Sequence, residues 1–229
     1  MKPDNASAHI STAYDFQVRA TIPYYDCFHW ETINLIKASK TKPKTWLDCG
    51  CGTGTLVEKA IKAFPQTTFI LLDPSQQMLE QAKRKLGAYS ENRIRFLDST
   101  TTNDAPKQLK KKMDVITAIQ AHHYMQPKDR VKTTKTCFDL LNKDGIYVTF
   151  ENTRPETKEG TRISLNNWKN YQTLSGKTPE EAEKHIKRYN KEYFPITVNE
   201  HIKLLQKTGF TTVELLWHSY MQAGIYAIK

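Results

Sequence analysis

The sequence is poor in cysteine, and it contains no apolar run long enough to cross a membrane. Its four cysteines include no Cys-x-x-Cys pair, which argues against a zinc site and against a disulfide framework. No stretch approaches the roughly 20 apolar residues that a membrane helix requires. The segment from Met1 to Asn5 lacks the apolar stretch of a secretory signal. We therefore expect a cytoplasmic protein that has no membrane partner.

Arginine is also sparse, and basic motifs interleaved with aromatic residues are missing, although the formal net charge is +10. Most of the excess is lysine, dispersed over polar stretches such as residues 107–112. A solvated lysine surface explains this charge, and so does a surface that binds nucleic acid. The charge leaves both alternatives open.

The most informative stretch is residues 45–57, where a short apolar run ends at Asp48 and passes through Gly50, Gly52 and Gly54. This pattern predicts strand, tight turn and helix, because glycine permits positive φ and lets the backbone lie against a ligand. The helix start presents unpaired N–H groups to that ligand. A carboxylate at position 48 repels a pyrophosphate but suits a ligand with an ammonium and a sulfonium. S-adenosylmethionine (SAM) carries both, so we expect SAM as the cofactor and disfavour a nicotinamide dehydrogenase.

Two further acids follow predicted strands, Asp73 after residues 68–72 and Asp98 after residues 93–97. The continuous apolar run over residues 68–72 is typical of a parallel sheet covered on both faces. Asp73 suits the two ribose hydroxyls of an adenosyl group, with helix capping as the alternative. Asp98 suits the adenine amine, with loop capping as the alternative. The cofactor contacts predicted from these patterns are Asp48, Gly50, Cys51, Gly52, Gly54, Asp73, Pro74, Met78, Asp98, Ser99 and Gln120.

A polar, aromatic turn follows the fourth predicted strand, residues 113–119. In a doubly wound sheet, ligands lie beyond the carboxyl ends of the strands, so this turn is expected to face the acceptor. His122 and His123 titrate near neutrality and are candidates for proton transfer, as is Glu151 after the fifth strand. For the histidines, cofactor contact or loop structure and metal binding stay open as alternatives, although no further metal ligand has suitable spacing.

The remaining segments complete an α/β fold with a doubly wound, seven-stranded, mostly parallel sheet. We expect a single domain over residues 1–229, with residues 1–40 as an N-terminal cap segment. Residues 156–195 are expected to form a helical lid too hydrophilic to belong to the core, and two closing strands are expected to form an antiparallel hairpin. Smaller expectations are a helix over residues 104–112 and a helix stop at residues 142–145.

The core from residue 45 to residue 150 resembles the class I SAM-dependent methyltransferases. The matching positions are Asp48, Gly50, Gly52, Gly54, Asp73 and Asp98. The resemblance implies the Rossmann-like methyltransferase fold, SAM binding and methyl transfer.

Over nearly its whole length the chain is also similar to the carboxy-SAM synthase branch, which acts in the synthesis of 5-oxyacetyl uridine in tRNA. This similarity rests on residues 19–25, 187–188 and 208–228. It implies that Tyr25 reaches the amino-acid end of SAM and that Arg188 holds an anionic group.

The preferred hypothesis is a methyltransferase for a small molecule or a modified nucleoside. The complete Gly-Cys-Gly-Thr-Gly turn and the His122-His123-Tyr124 turn favour methyl transfer over carboxy-SAM synthesis. A carboxy-SAM synthase-like enzyme acting on the tRNA wobble uridine and a non-catalytic SAM-binding subunit remain alternatives, and both a monomer and a homodimer stay open. The predicted acceptor contacts are Arg154, Trp168, Tyr171 and Arg188, and no metal is expected.

Overall fold

The structure, a computed structural model, describes residue 4 and residues 6–229, so the expectation about Met1 to Asn5 lies almost wholly outside the described residues. Seven strands are formed: β1 Thr45–Cys49, β2 Thr68–Leu72, β3 Ile94–Phe96, β4 Met113–Ile119, β5 Leu141–Asn152, β6 Thr212–Ser219 and β7 Gln222–Ile228. The helices are α1 Tyr14–Gln17, α2 Tyr25–Ala38, α3 Thr55–Ala63, α4 Gln76–Leu86, α5 Pro127–Leu140, α6 Lys158–Leu174, α7 Pro179–Ile186 and α8 Val198–Thr208. Short 3₁₀ turns cover Ser11–Ala13, Val18–Ala20, Ala105–Lys107 and His122–Tyr124.

All seven strands join one sheet in the order β3-β2-β1-β4-β5-β7-β6. Strands β1 to β5 pair in parallel, whereas β7 runs antiparallel to both β5 and β6. The predicted doubly wound sheet with a closing antiparallel hairpin is confirmed. The strand order reverses between β1 and β4, so a ligand is expected beyond the carboxyl ends of these two strands.

The two faces of the sheet bury alternate side chains of each strand. On one face Trp46 and Phe69 pack with α2 and α3, and on the other Leu47 and Ile70 pack with α5 and α8. Because both faces are covered, the strands have near-continuous apolar sequences. In the described part of the chain, no helix has the length and apolar character needed to span a bilayer.

The cap segment is attached to the glycine turn through Asp15 in α1. Its carboxylate accepts hydrogen bonds from Thr53 Oγ1 at 2.6 Å and Thr55 Oγ1 at 3.1 Å, and Lys85 Nζ lies 2.7 Å from its second oxygen. Burial alone would raise the pKa of Asp15, but Lys85 and the two hydroxyls lower it. The cap is therefore tied to the turn that is expected to hold the cofactor.

The lid contributes a small cluster of its own, separate from the two clusters that cover the sheet. Trp168 and Tyr193 are fully buried there together with Met221 in the loop between β6 and β7. Other apolar lid residues, Ile163 and Leu174 in α6, are exposed, so the lid is polar overall but packs around a few buried aromatic side chains.

Two smaller expectations are wrong. Residues 104–112 form only the 3₁₀ turn Ala105–Lys107, which contains Pro106, and the lysines that follow offer no apolar face for a longer helix. Residues 142–145 lie inside β5, where the pairing with β4 shifts between Met113 and Val115, so they do not close a helix.

Candidate cofactor and acceptor site

The three glycines of the turn after β1 have positive φ, and they differ in what surrounds them. A Cβ on Gly50 would lie 2.6 Å from Ala121 Cβ, and one on Gly54 would lie 2.9 Å from Leu86 Cδ1. A Cβ on Gly52, whose φ is +53°, would meet nothing within 4 Å. Gly50 and Gly54 therefore permit close packing, whereas Gly52 borders open space against which a ligand can lie.

Asp48 lies at the carboxyl end of β1 and is only 2% exposed. Thr117 Oγ1 donates to its Oδ1 at 2.7 Å, and Trp46 Nε1 donates to the Thr117 hydroxyl at 3.0 Å. No group of the described residues donates to Oδ2. Burial raises the pKa of Asp48 to about 7, and the nearby Asp73 adds to this effect. A bound cation would stabilise the ionised carboxylate, which fits the predicted contact with an ammonium.

Asp73, at the end of β2, lies across the turn from Asp48. Its two oxygens accept hydrogen bonds from the backbone N–H of Gly52 at 2.9 Å and of Ser75 at 2.8 Å. The helix-capping alternative is disfavoured, because the Ser75 hydroxyl caps α4 by accepting from the Met78 N–H. Burial raises the pKa of Asp73 to about 6. Each carboxylate oxygen keeps acceptor capacity for a ribose hydroxyl.

The predicted adenine contacts lie next to this acid. Met78 is buried, whereas Asp98 and Ser99 are exposed. Ser99 Oγ donates to the Pro74 carbonyl at 2.7 Å, and both residues border a depression of about 370 Å³. The arrangement leaves room for a planar base, and adenine binding by Asp98 stays a prediction.

Gln120 begins the turn after β4 with a φ of +55°. Its backbone N–H and its Nε2 both donate to the Phe150 carbonyl, at 2.6 and 3.3 Å. Its Oε1 is buried and has no hydrogen-bond partner. Gln120 also lines a cavity of about 20 Å³ between the sheet, the cap and the lid, so it presents an unused acceptor near the expected ligand.

Glu151 is held by the turn rather than facing the cavity. Its carboxylate accepts from the backbone N–H of His122 at 2.9 Å and of His123 at 3.0 Å, and from Thr149 Oγ1 at 2.9 Å. His123 Nδ1 lies 2.6 Å from the same carboxylate. Burial alone would raise the pKa of Glu151, but the hydrogen bond and charge of His123 and the bonds from His122 lower it to about 2. A carboxylate this well paired is a poor proton acceptor.

Both ring nitrogens of His122 likewise have hydrogen-bond partners. Its Nδ1 lies 3.1 Å from Tyr147 Oη and its Nε2 lies 3.3 Å from Thr102 Oγ1, while burial lowers its pKa to about 4. Neither His122 nor His123 lines the cavity. These contacts favour loop structure over proton transfer. The described residues contain no group of three or more potential metal ligands, so metal binding has no geometric support.

Two of the four predicted acceptor contacts reach the cavity, namely Trp168 and Arg188. Trp168 Nε1 donates to the Thr21 carbonyl at 2.6 Å, which joins the lid to the cap. Arg188 Nε lies 2.6 Å from Glu192 Oε2, and its guanidinium is a hydrogen-bond partner of the Tyr124 hydroxyl.

The other two predicted acceptor contacts, Arg154 and Tyr171, do not line the cavity. Arg154 makes two 2.9 Å hydrogen bonds to the carboxylate of Glu200, and Tyr171 Oη donates to the Arg19 carbonyl at 2.9 Å. Both polar ends are already hydrogen-bonded to neighbouring elements, and contact of these two residues with the acceptor stays a prediction.

The cavity is also lined by Tyr14, Tyr124 and Asn152, which are not among the contacts assigned above. Tyr25 is buried behind Tyr14, with the two rings edge to face at 6.4 Å. Asn152 ends β5 and Tyr124 follows β4, which is a usable signal in the sequence. Their side-chain orientations depend on tertiary partners, namely His123 and Gln222 for Asn152 and Arg188 for Tyr124. Tyr14 is a polar-tipped aromatic residue of the cap, and it reaches the site only through tertiary contacts.

Comparisons with known proteins agree with this geometry. Residues 47–147 match the family model described as a methyltransferase domain. The carboxy-S-adenosyl-L-methionine synthase of Nautilia profundicola is 23% identical over 213 residues, covering 92% of this chain and 89% of that protein.

Solved structures share the fold at low sequence identity. The plantazolicin methyltransferase BamL, in complex with a triazolic desmethylPZN analog and SAH, is 17% identical with a TM-score of 0.67, covering 96% of this chain and 89% of that one. A putative O-methyltransferase from Nostoc punctiforme is 14% identical with a TM-score of 0.65, and this chain, 96% of which is covered, spans 58% of its length. Residues 47–147 are thus a methyltransferase domain, and the sheet order and the solved structures show that the chain has the class I methyltransferase fold.

Proposed function

We propose that this protein transfers the methyl group of SAM to a small molecule or a modified nucleoside that binds between the cap and the lid. The observation that carries the proposal is the open space over Gly52, flanked by the buried carboxylates of Asp48 and Asp73. A pyrophosphate would be repelled there, whereas a ligand that combines an ammonium, a sulfonium and a ribose diol is complementary to it.

Different residues at the ends of the strands bind different parts of the cofactor. Asp48 holds the ammonium, Asp73 accepts from the ribose hydroxyls, and Gln120 offers its buried Oε1 near the junction of β4 and β5. Pro74, Met78, Asp98 and Ser99 surround the adenine, and Tyr25 supports the amino-acid end from behind Tyr14. When bound, SAM supplies an electrophilic methyl group on a leaving thioether that is neutral after transfer.

The protein contributes alignment and exclusion of water rather than a general base. Glu151 and His123 fix the turn after β4, so that Gln120 and Tyr124 keep their places beside the cavity. Trp168 and Arg188 bring the lid to the other side of the same cavity. Arg188 then orients an anionic group of the acceptor, as the resemblance to the carboxy-SAM synthase branch implies.

The first test is calorimetric titration with SAM. We expect Asp73→Ala to weaken binding at least about tenfold, a loss of about 1.4 kcal/mol, because the ribose loses both acceptors. Asp139→Ala removes an exposed acid of α5 that pairs with Lys135, and it serves as the control with unchanged affinity. Equal affinities for the two variants would remove the ribose assignment.

Carboxy-SAM synthesis is the second candidate, because the relative of that name matches 92% of this chain. In that reaction the sulfonium itself is modified, and the product serves tRNA uridine modification. Mass spectrometry of the nucleotide that co-purifies with the protein separates the two: a carboxylated sulfonium supports synthesis, and SAM or S-adenosylhomocysteine supports methyl transfer. A SAM-binding subunit without catalysis would retain SAM and never accumulate the demethylated product.

A further inference from the structure

A second, larger groove lies outside the small cavity, between the cap and the lid. Its volume is about 1070 Å³, and it is lined by cap residues between Ser7 and Ala20 and by lid residues between Ser175 and Glu192. His9, His185 and Arg188 line both this groove and the small cavity. The two spaces are therefore neighbours, and a molecule in the groove has one end beside the expected methyl group.

Most of the charged side chains that face the groove are basic, and most are already paired. Arg19 pairs with Asp26 at 2.7 Å, and Arg188 pairs with Glu192 at 2.6 Å. Glu181 accepts from the backbone N–H of Thr178 in the capping box of α7. The remaining cations that line the groove are Lys177 and Lys184, of which Lys184 is exposed.

Of these two cations, Lys177 is the one that is partly shielded from solvent. It is half-buried, and its Nζ donates to Gln172 Oε1 at 3.0 Å. Among the described residues, no carboxylate lies within 4.0 Å of that ammonium. Gln172 in turn donates from Nε2 to His185 Nδ1 at 3.1 Å, so a neutral chain fixes the position of Lys177 without compensating its charge.

The pKa shifts of the neighbouring histidines agree with a positive field from Lys177 and Arg188. Burial lowers the pKa of Lys177 itself to about 8, the charge of Glu181 opposes this shift, and the smaller effect of the Arg188 charge adds to it. Burial lowers the pKa of His9 to about 4, with Lys177 as the next cause, and His185 is lowered by burial, Lys177 and Arg188. Both histidines are neutral at pH 7, and Glu181 and Glu192 are the acids that line the groove.

We propose that the groove binds the distal oxyanion, a carboxylate or a phosphate, of an extended acceptor, and that Lys177 is the group that binds it. A half-buried ammonium with one neutral partner gains more from an anion than an exposed lysine does, since the groove screens it less. This inference rests on the proposed function in placing the acceptor between the cap and the lid. It adds a contact at the outer end, separate from Arg188 beside the cavity.

Calorimetric titration with succinate and with pyrophosphate, in the presence of saturating S-adenosylhomocysteine, tests the proposal. We expect one of these probes to bind the wild type at one site, and Lys177→Gln to weaken it about tenfold, or about 1.4 kcal/mol. Lys177→Arg should retain most of the affinity. Lys37→Gln, which removes an exposed lysine of α2, is the matched control and should bind like the wild type. A preference for succinate identifies a carboxylate, and a preference for pyrophosphate identifies a phosphate.

The proposal is overturned if neither probe binds the wild type, or if Lys177→Gln and Lys37→Gln bind equally. Titration with SAM alone distinguishes a failure of the anion-site proposal from a failure of the proposed function. Lys177→Gln should bind SAM like the wild type, because Lys177 lies in the outer groove. A wild type that does not bind SAM contradicts the methyltransferase assignment, whatever the anion titrations give.

Discussion

At the scale of single residues, Gly52 gives a direct test of where the cofactor lies. Gly52 and Gly176 both have positive φ, +53° and +97°, and a Cβ on either would meet nothing within 4 Å. Gly52→Ala and Gly176→Ala therefore introduce similar backbone strain, and a new methyl group meets a ligand only at position 52. We expect SAM affinity to fall about tenfold in Gly52→Ala alone, measured by calorimetry. Comparable losses in both variants would place the cofactor elsewhere.

The pKa of Asp48 predicts how cofactor binding depends on pH. Burial raises this pKa from 3.8 to about 7, so the free protein keeps Asp48 largely protonated at pH 6. The unliganded protein therefore loses stability from this group as pH rises between about 4 and 7. A cation binds the ionised form, so SAM affinity should rise about tenfold from pH ~6 to ~7.5. Calorimetry at several pH values checks this.

The control for that experiment is Asp48→Asn, which keeps the shape of the side chain. It should bind SAM more weakly than the wild type at pH 7.5 and should show a smaller rise with pH. The residual rise is expected from Asp73, whose pKa burial raises to about 6. A variant with the full pH dependence of the wild type would remove Asp48 from the ammonium site.

At the scale of elements, the turn after β4 is stabilised from three sides. Glu151 in β5 accepts its backbone N–H groups, Arg130 in α5 donates to the carbonyls of His123 and Met125, and Phe194 N–H donates to the His123 carbonyl at 2.7 Å. Arg130 also donates to the Phe194 carbonyl. The end of the lid, at Phe194, and the turn after β4 are thus joined through one buried hydrogen-bond network.

Replacing Glu151 by Gln should destabilise this network. The amide cannot match the ionised carboxylate that four hydrogen bonds surround, and loss of one partner in a buried pair costs about 3 kcal/mol or more. We expect the melting temperature to fall by roughly 6–12 °C and SAM affinity to fall with it, measured by differential scanning calorimetry and by titration. Glu159→Gln, which breaks an exposed ion pair with Arg162, is the control and should melt like the wild type.

The Glu151 carboxylate also predicts how the stability of the protein changes at acid pH. Its pKa is lowered from 4.5 to about 2, so its contribution to stability is complete above pH ~4.5 and is lost as pH falls toward 2. The stability difference between the wild type and Glu151→Gln should therefore shrink below pH ~4.5. A constant difference down to pH ~3 would show that Glu151 is not the ionised centre of the network.

Sequence patterns predict those features that depend on residues close together in the chain. Asp48 and Asp73 stand out in the sequence because each acid ends an apolar strand, and the parallel sheet brings these strand ends together. His122 and Glu151 are also polar residues at strand ends, but the sequence does not show that the Glu151 carboxylate accepts the His122 N–H. The cofactor contacts of the two aspartates stay predictions. Side-chain orientation at a turn is set by tertiary partners such as Tyr147 and Thr102, which no local pattern reveals.

At the scale of the whole molecule, the cap and the lid determine what the core can bind. Asp15 ties the cap to the glycine turn, and Trp168 ties the lid to the cap. The residues that these two contacts join are separated by 38 and 147 positions in the sequence. The composition of the lid is polar overall and therefore does not reveal that its tryptophan is buried. The small cavity between the cap and the lid is formed by such long-range contacts, which is why sequence patterns alone do not show that Arg154 and Tyr171 lie outside it.

The central claim is that Asp48, Asp73 and the open space over Gly52 form the SAM site. The most direct measurement is a crystal structure of the complex with S-adenosylhomocysteine. We predict the ribose hydroxyls within hydrogen-bonding distance of the Asp73 carboxylate, the amino-acid end beside Asp48, and the thioether on the side of the cavity that Tyr14 and Gln120 line. Nucleotide density elsewhere on the protein, with the space over Gly52 filled only by solvent, would contradict the account.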